Sequence, residues 1–315
     1  MKLRSSRMLW CFGRWGKTTA NTLSATGLLR RTLSIKCLGR TMKREVSKPG
    51  GGTLKSPEAP RAEMRKFGAA MSAMIEAMAK SWRNQVFKEL NKSTVEKFED
   101  AQTGNFAAVY LKLAERARRK LVKRFDDKRL EELAANFTGP VNERNRKEFY
   151  ARAEKSIGIS RQELEASEGL TSQINAYKLE TAQWIKKLRD DTLEEWTSNT
   201  LRDMAEGFGL EDILAQFDGM EEKRKGHAQM VARTQIATFN SLTSKARARN
   251  LGITEAVWIT SSDERVRKSH AARAGRKFNL AKGLYSATDG KTLLPGTDYN
   301  CRCDYEMIIP DFEGD

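Results

Sequence analysis

Large apolar residues return every third or fourth position through most of this chain, and that rhythm stops after Gly252. Phe67, Met71, Met74, Met78, Trp82 and Val86 line up on one side of a helix, so the spacing predicts a helix that buries this face. A methionine-rich stripe can serve as an adaptable partner surface, but methionine fills irregular gaps in helical cores equally well, and a core face is the simpler expectation. A second helical pattern runs from Ala107 to about Phe137 through Leu111, Leu121, Phe125, Leu130 and Leu133. It carries the basic run Arg116, Arg118, Arg119, Lys120, Lys123 and Arg124, which reads either as a nucleic-acid contact or as a solvated face with Glu115, Asp126 and Asp127 beside it.

Gly139-Pro140 punctuates the chain, and a helical pattern resumes over residues 142–156. Ser160 and Glu163 have capping-box spacing. A long helix follows from about Ser172, with Ile174, Tyr177, Ile185, Leu188, Trp196 and Met204 in phase, and stops at Gly207-Phe208-Gly209. Leu210 to Phe217 reads as a short helix and Glu221 to Asn250 as another long one. Beyond Gly252 short β-type runs appear at residues 256–260, 277–278 and 299–309, separated by glycine and proline turns. The fold class is therefore α+β: a mostly helical N-terminal two thirds followed by a small C-terminal α+β unit. Four divisions are expected: a basic disordered leader and Gly/Pro linker over 1–60, a helical region over 61–156, a long-helix region over 157–252, and the α+β unit over 253–315.

Charge narrows the partners. The chain has 57 Lys and Arg against 41 Asp and Glu, a formal net charge of +16, which favours phosphate-rich or acidic partners. Nine of the basic residues precede Met42, and the first acid is Glu45. That leader has the composition of a basic arm; of a transit peptide; or of an upstream stretch ahead of a true start at Met42. No run approaches the 18 or so apolar residues of a membrane span, so no membrane partner is expected. The cysteines, an isolated Cys11 and Cys37 and a tight Cys301/Cys303 pair, are no disulfide framework for a chain of this size.

Several separated elements occur in order in the last third: Val231-Ala232-Arg233-Thr234-Gln235 with Asn240; Trp258-Ile259-Thr260; Asp263, Arg265, Arg267 and His270 spaced as D-x-R-x-R-x-x-H; Gly275-Arg276-Lys277-Phe278; Pro295-Gly296; and Asn300-Cys301-Arg302-Cys303. The ordered set resembles the phage Mu F-like head morphogenesis domain, and the helices from about Ile157 to Asp218 look like that family's preceding helical region. Ala271-Ala272 after the histidine departs mildly from the family's pattern, which has an apolar residue there.

The residues can also be read directly. Trp258 offers a large buried surface and an indole N–H that needs a partner. Asp263 is close enough to Arg265 and Arg267 to organise a turn and accept charge-assisted hydrogen bonds. Asn300 suits a turn entering a last strand, whose alternation would send Cys301 and Cys303 to one face and Arg302 to the other. His270, Cys301 and Cys303 have zinc-ligand chemistry, with a fourth ligand from Asp263 or water; buried thiols and a hydrogen-bonded histidine are the alternative. A nucleophile–base pair of Cys301 and His270 can be drawn, yet no phosphate loop or nucleophile elbow accompanies it.

The resemblance implies a minor capsid protein, not an enzyme, that meets phage portal and capsid or scaffold proteins inside a procapsid or at the portal vertex, after a time in the host cytoplasm. It also implies a part in packaging or delivering DNA. The basic charge adds non-specific contact with double-stranded DNA; nothing points to a small-molecule substrate. The alternatives are a zinc-dependent or thiol enzyme carried in the virion, or a basic nucleic-acid-binding protein.

Overall fold

The structure, a computed structural model, describes residues 21–23, 29–37, 40–46, 52–95 and 104–310. Within the leader, expected to be disordered, β1 (Asn21–Leu23), β2 (Leu29–Cys37) and β3 (Arg40–Val46) form an antiparallel sheet of order β1-β2-β3. The β-branched residue types at Thr32, Ile35 and Thr41 suit a pleated strand. The rest of residues 1–51 lies outside the described residues.

Order begins earlier than Arg61. Thr53–Lys55 forms β4, an edge strand whose middle residue, Leu54, is buried. Arg152 holds the next stretch by donating to the carbonyls of Lys55 (3.1 Å) and Ser56 (2.6 Å). The expected linker is thus partly a strand, because Leu54 finds an apolar floor and the backbone finds donors.

Helix α1 (Arg61–Trp82) passes through a π-helical turn at Arg83–Phe87 into α2 (Lys88–Val95). The whole methionine stripe is buried and is core. The π turn lies where Arg83 pairs with Glu221 (2.6 Å) and stacks over Phe217 (5.0 Å), with Val86 and Phe87 still facing inward. Next come α3 (Gly104–Arg124) and α4 (Asp127–Ile157), divided where Asp126 caps α4 by accepting from the Arg129 N–H at 2.9 Å. Leu111, expected in the core, is exposed, and Tyr110 takes the buried position.

Gly139-Pro140 does not break α4. Pro140 and Asn136, whose carbonyl loses its donor, both face solvent, so water can replace the missing bond. Ser160 caps as its spacing predicts: its Oγ accepts from Glu163 N and donates to Glu163 Oε2 (2.7 Å), opening α5 (Arg161–Ala166). Helix α6 (Thr171–Ala205) is followed by one 41-residue helix, α7 (Leu210–Asn250), where two had been expected. Gly219 costs such a helix about 1 kcal/mol. Phe217, Glu221 and Ala228 on the continuous buried face offset it.

The C-terminal unit contains β5 (Glu255–Ile259), α8 (Lys268–Ala271), β6 (Lys277–Asn279), the hairpin β7 (Leu284–Ser286) and β8 (Lys291–Leu293), and β9 (Asp304–Ile308). The main sheet is antiparallel with order β4-β9-β5-β6, and Trp258 stands opposite Tyr305. The last strand starts at Asp304, so the Asn300–Cys303 tetrad precedes it.

Two hydrophobic cores result. One lies among the helices around Trp82, Trp196 and Phe217; the other lies under the sheet around Trp258, Phe278, Tyr305 and Met307, with Phe149, Tyr150 and Ile157 of α4. Helix α7 contributes to both. Between them Arg247, fully buried, donates to Glu168 (2.9 Å), Asn142 (2.7 Å) and Asn145 (2.5 Å). No helix among the described residues is long and apolar enough to cross a membrane.

Candidate functional site

Helix α7 is the floor of the site, and the loop over residues 294–303 is sewn onto it. Ser241 Oγ donates to the Pro295 carbonyl (2.6 Å), the Asn300 N–H donates to Thr234 Oγ1 (3.2 Å), and Arg233 Nε donates to Asn300 Oδ1 (3.2 Å). Gly296 has φ +84°, and a Cβ there would sit 3.3 Å from Ser241 Cβ, so the turn needs glycine both for its backbone and for its approach. Asn300 adopts the left-handed region at φ 51°, a conformation asparagine tolerates. Further along α7, Asn240 Nδ2 donates to the Pro57 carbonyl (2.7 Å), and Asn240 Oδ1 accepts from Asn145 (2.8 Å). The motif asparagine therefore ties the segment after β4 into the protein.

After the Asn300 turn, Cys301 and Cys303 are buried and Arg302 is exposed. Both sulfurs face one ring nitrogen: His270 Nδ1 lies 3.5 Å from Cys301 Sγ and 3.4 Å from Cys303 Sγ. The other nitrogen, Nε2, is 3.1 Å from Asp298 Oδ2. Asp298 is gripped by Arg267, which also donates to the Tyr299 carbonyl. Trp258 closes one side, edge-on to the imidazole at 5.8 Å.

Donors converge on the sulfurs. The backbone N–H groups of Gly296 and Cys303 both reach Cys301 Sγ at 3.4 Å. The Trp258 indole N–H is buried without a normal hydrogen-bond partner, and its polarity acts on the Cys303 thiol. Hydrogen bonding from Cys303, then from His270 and the two backbone donors, pulls the Cys301 thiol well below its usual range. Cys303 is pushed up, by its hydrogen bond to Cys301 and by burial. His270 is raised by Cys301 first and by Asp298. The arrangement can hold a borderline-soft divalent cation or present a thiolate beside an imidazolium.

Asp263 stands apart from this group. It accepts the Arg265 backbone N–H (3.2 Å), but its side-chain partner is Arg302, bidentate with one bond of 2.7 Å, in place of Arg265 or Arg267. Arg302 faces outward beside Asp263, whereas Arg267 turns to Asp298; that geometry removes Asp263 as a fourth metal ligand. Among the described residues, only His270, Cys301 and Cys303 form a group with metal-ligand spacing, their ligand atoms all within 4.8 Å.

The three residues line the bottom of a cleft of about 690 Å³ whose walls carry Arg61, Arg65, Arg233, Arg265, Arg267 and Arg302. Gly275 takes φ +71° in the turn before β6. The basic run on α3 lies elsewhere: Arg116, Arg119, Lys120, Lys123 and Arg124 are exposed and Arg118 is half-buried, with Arg119 beside Glu115 (3.8 Å).

Sequence reasoning missed Asp298, although an acid inside the Gly296–Asn300 turn, three residues before Cys301, was a usable signal. It also missed Arg273, which is fully buried and donates to the Leu284, Ser269 and Lys291 carbonyls and to both oxygens of Asp289. No local pattern marks it, because most of its partners lie eleven to eighteen residues away.

Residues 194–306 match the family model described as Phage Mu protein F like protein. Over that segment, about a third of the chain, the protein is similar to the phage Mu F-like head morphogenesis domain. The match begins inside α6 and contains every signature residue of the site. The family is a structural, morphogenetic one. The chain is also 28% identical over 230 residues to an uncharacterized protein of Haemophilus influenzae Rd, covering 73% of this chain and 50% of that protein. This chain thus spans half the length of that relative. No solved structure matches.

Proposed function

We propose that this phage Mu F-like protein is a minor capsid protein that enters the procapsid at the portal and assists assembly and DNA packaging or delivery. The observation that carries the reading is the match over residues 194–306, the segment in which the scattered signature residues pack as one loop-on-helix unit. The experiment is co-purification of the tagged protein with procapsids assembled with and without portal, read by mass spectrometry that also identifies the first residue. Portal-dependent incorporation supports the role; absence from both kinds of particle rejects it.

DNA contact is a separable part of the proposal. The leader charge and the exposed α3 cations, Arg116 to Arg124, would meet phosphates without sequence preference. Affinity for duplex DNA should fall steeply with added salt, and neutralising four of the α3 cations should flatten that dependence. Salt-insensitive binding, or none at low salt, rejects it.

One observation favours a second reading, a thiol enzyme carried in the virion: Cys301, His270 and Asp298 form a chain of the nucleophile–base–orienter type. Rapid, selective alkylation of Cys301 in the folded protein supports that reading, and two thiols protected together count against it.

A further inference from the structure

We infer that His270 Nδ1, Cys301 Sγ and Cys303 Sγ bind one zinc ion, with its fourth position open to the arginine-walled cleft. The first argument is distance. Tetrahedral zinc with Zn–S near 2.3 Å and Zn–N near 2.05 Å sets sulfur and nitrogen about 3.5 Å apart. The two S···Nδ1 separations are 3.5 and 3.4 Å. The second argument is convergence. A nucleophile–base pair needs one thiol on the nitrogen, whereas here two buried sulfurs approach the same nitrogen almost equally, as ligands of a common cation do.

The surroundings fit thiolate and metal. His270 offers Nδ1 to the sulfurs while Asp298, anchored by Arg267, takes Nε2, the carboxylate–histidine arrangement that fixes the tautomer and orientation of a metal-bound imidazole. The Gly296 and Cys303 N–H groups point at Cys301 Sγ, and the indole N–H of Trp258 is buried without a hydrogen-bond partner. Donors on sulfur stabilise a thiolate's charge, which a zinc ion requires. The short Cys-x-Cys spacing works because burial alternates over residues 301–303, so the two cysteines share the inner face. Three protein ligands lining a cleft leave the fourth position for water or an incoming carboxylate.

The test is metal analysis of the full chain purified under reducing conditions without chelators, by plasma mass spectrometry and zinc-edge X-ray absorption. The expected result is about one zinc per chain with two sulfur and two lighter scatterers. Cys303→Ser and His270→Ala should lose the metal. Because those variants can also fail to fold, Asp298→Asn is the companion: it keeps all three ligands and should weaken zinc binding about 10- to 100-fold against a competing chromophoric chelator. Peptide mapping supplies a further readout, in which Cys301 and Cys303 resist alkylation until the metal is stripped and then react together. A folded, reduced wild-type chain that holds no zinc and takes up none would overturn the inference, as would a Cys301–Cys303 disulfide or an unchanged affinity in Asp298→Asn.

Discussion

Replacing Arg247 by methionine tests whether the polar belt between the two cores holds them in register. The guanidinium is fully buried and is shared by Glu168, Asn142 and Asn145. Removing one partner of a buried ion pair costs about 3–5 kcal/mol, because the remaining charge stays desolvated. Glu168 keeps a second cation, Arg146, at 2.9 Å, which moves the expectation to the lower end. Asn142 is half-buried and can turn to water, whereas Asn145 is buried and loses a donor. Methionine refills most of the volume, so the net expectation is a loss of about 3 kcal/mol. Urea unfolding followed by tryptophan fluorescence measures it, since Trp196 and Trp258 sit in different cores. Adding Glu168→Gln should then return about 1 kcal/mol by neutralising the stranded carboxylate. A loss below about 1 kcal/mol for Arg247→Met, or a double variant no more stable than the single one, would refute the reasoning.

Asp304 is pushed up to about 6, from an ordinary value of 3.8, by burial, against hydrogen bonds from Ser56 Oγ and its neighbour's N–H. A raised carboxyl binds its proton more tightly when folded, so its contribution is full at low pH and is lost as pH rises from about 4 to 6, by up to about 3 kcal/mol. Thermal melts of Asp304→Asn against the parent across that window should differ by a curve that rises to a plateau above pH 6, and a flat difference would count against it. Gly296→Ala forces a side chain into φ +84° and against Ser241, and should cost about 2 kcal/mol in urea unfolding; a neutral result means the loop can shift. Arg273→Lys keeps the charge but loses the fork that holds Asp289 and three carbonyls, so amide exchange over residues 284–293 should speed up about tenfold while α7 stays protected. Uniform exchange would place Arg273 outside the hairpin's stability.

Helical phase was legible because each stripe is a local pattern that a single helix satisfies. Phe67 to Val86 buried as spaced, and Ser160 caps α5 through the Glu163 N–H. The errors fall where distant packing outweighs local preference. Pro140 and Gly219 read as breaks, yet each sits within a helix whose other face is buried along its length. Thr53–Lys55 read as linker because Leu54 is the single apolar residue that shows its strand, and its partner β9 lies some 250 residues on. At the site, residue types and order identified His270, Cys301 and Cys303, but not their ligand geometry. Asp298, which takes the imidazole nitrogen facing away from the sulfurs, was marked in the sequence only by its place three residues before Cys301, and its role follows from the meeting of α8 with the Pro295–Asn300 turn.

The signature residues divide by what they hold, and the division explains why they lie so far apart in the chain. Arg233, Thr234 and Asn240 on α7 bind backbone or side chains of two loops, one before α1 and one before β9. Asp263, through Arg302, and Arg267, through Asp298, clamp the latter loop from its other side. The loop carrying Cys301 and Cys303 is thus fixed from both flanks while its backbone donors stay aimed at sulfur. Two clamps and the backbone donors aimed at Cys301 Sγ hold both sulfurs on one nitrogen of His270, which is the arrangement the inferred zinc site needs.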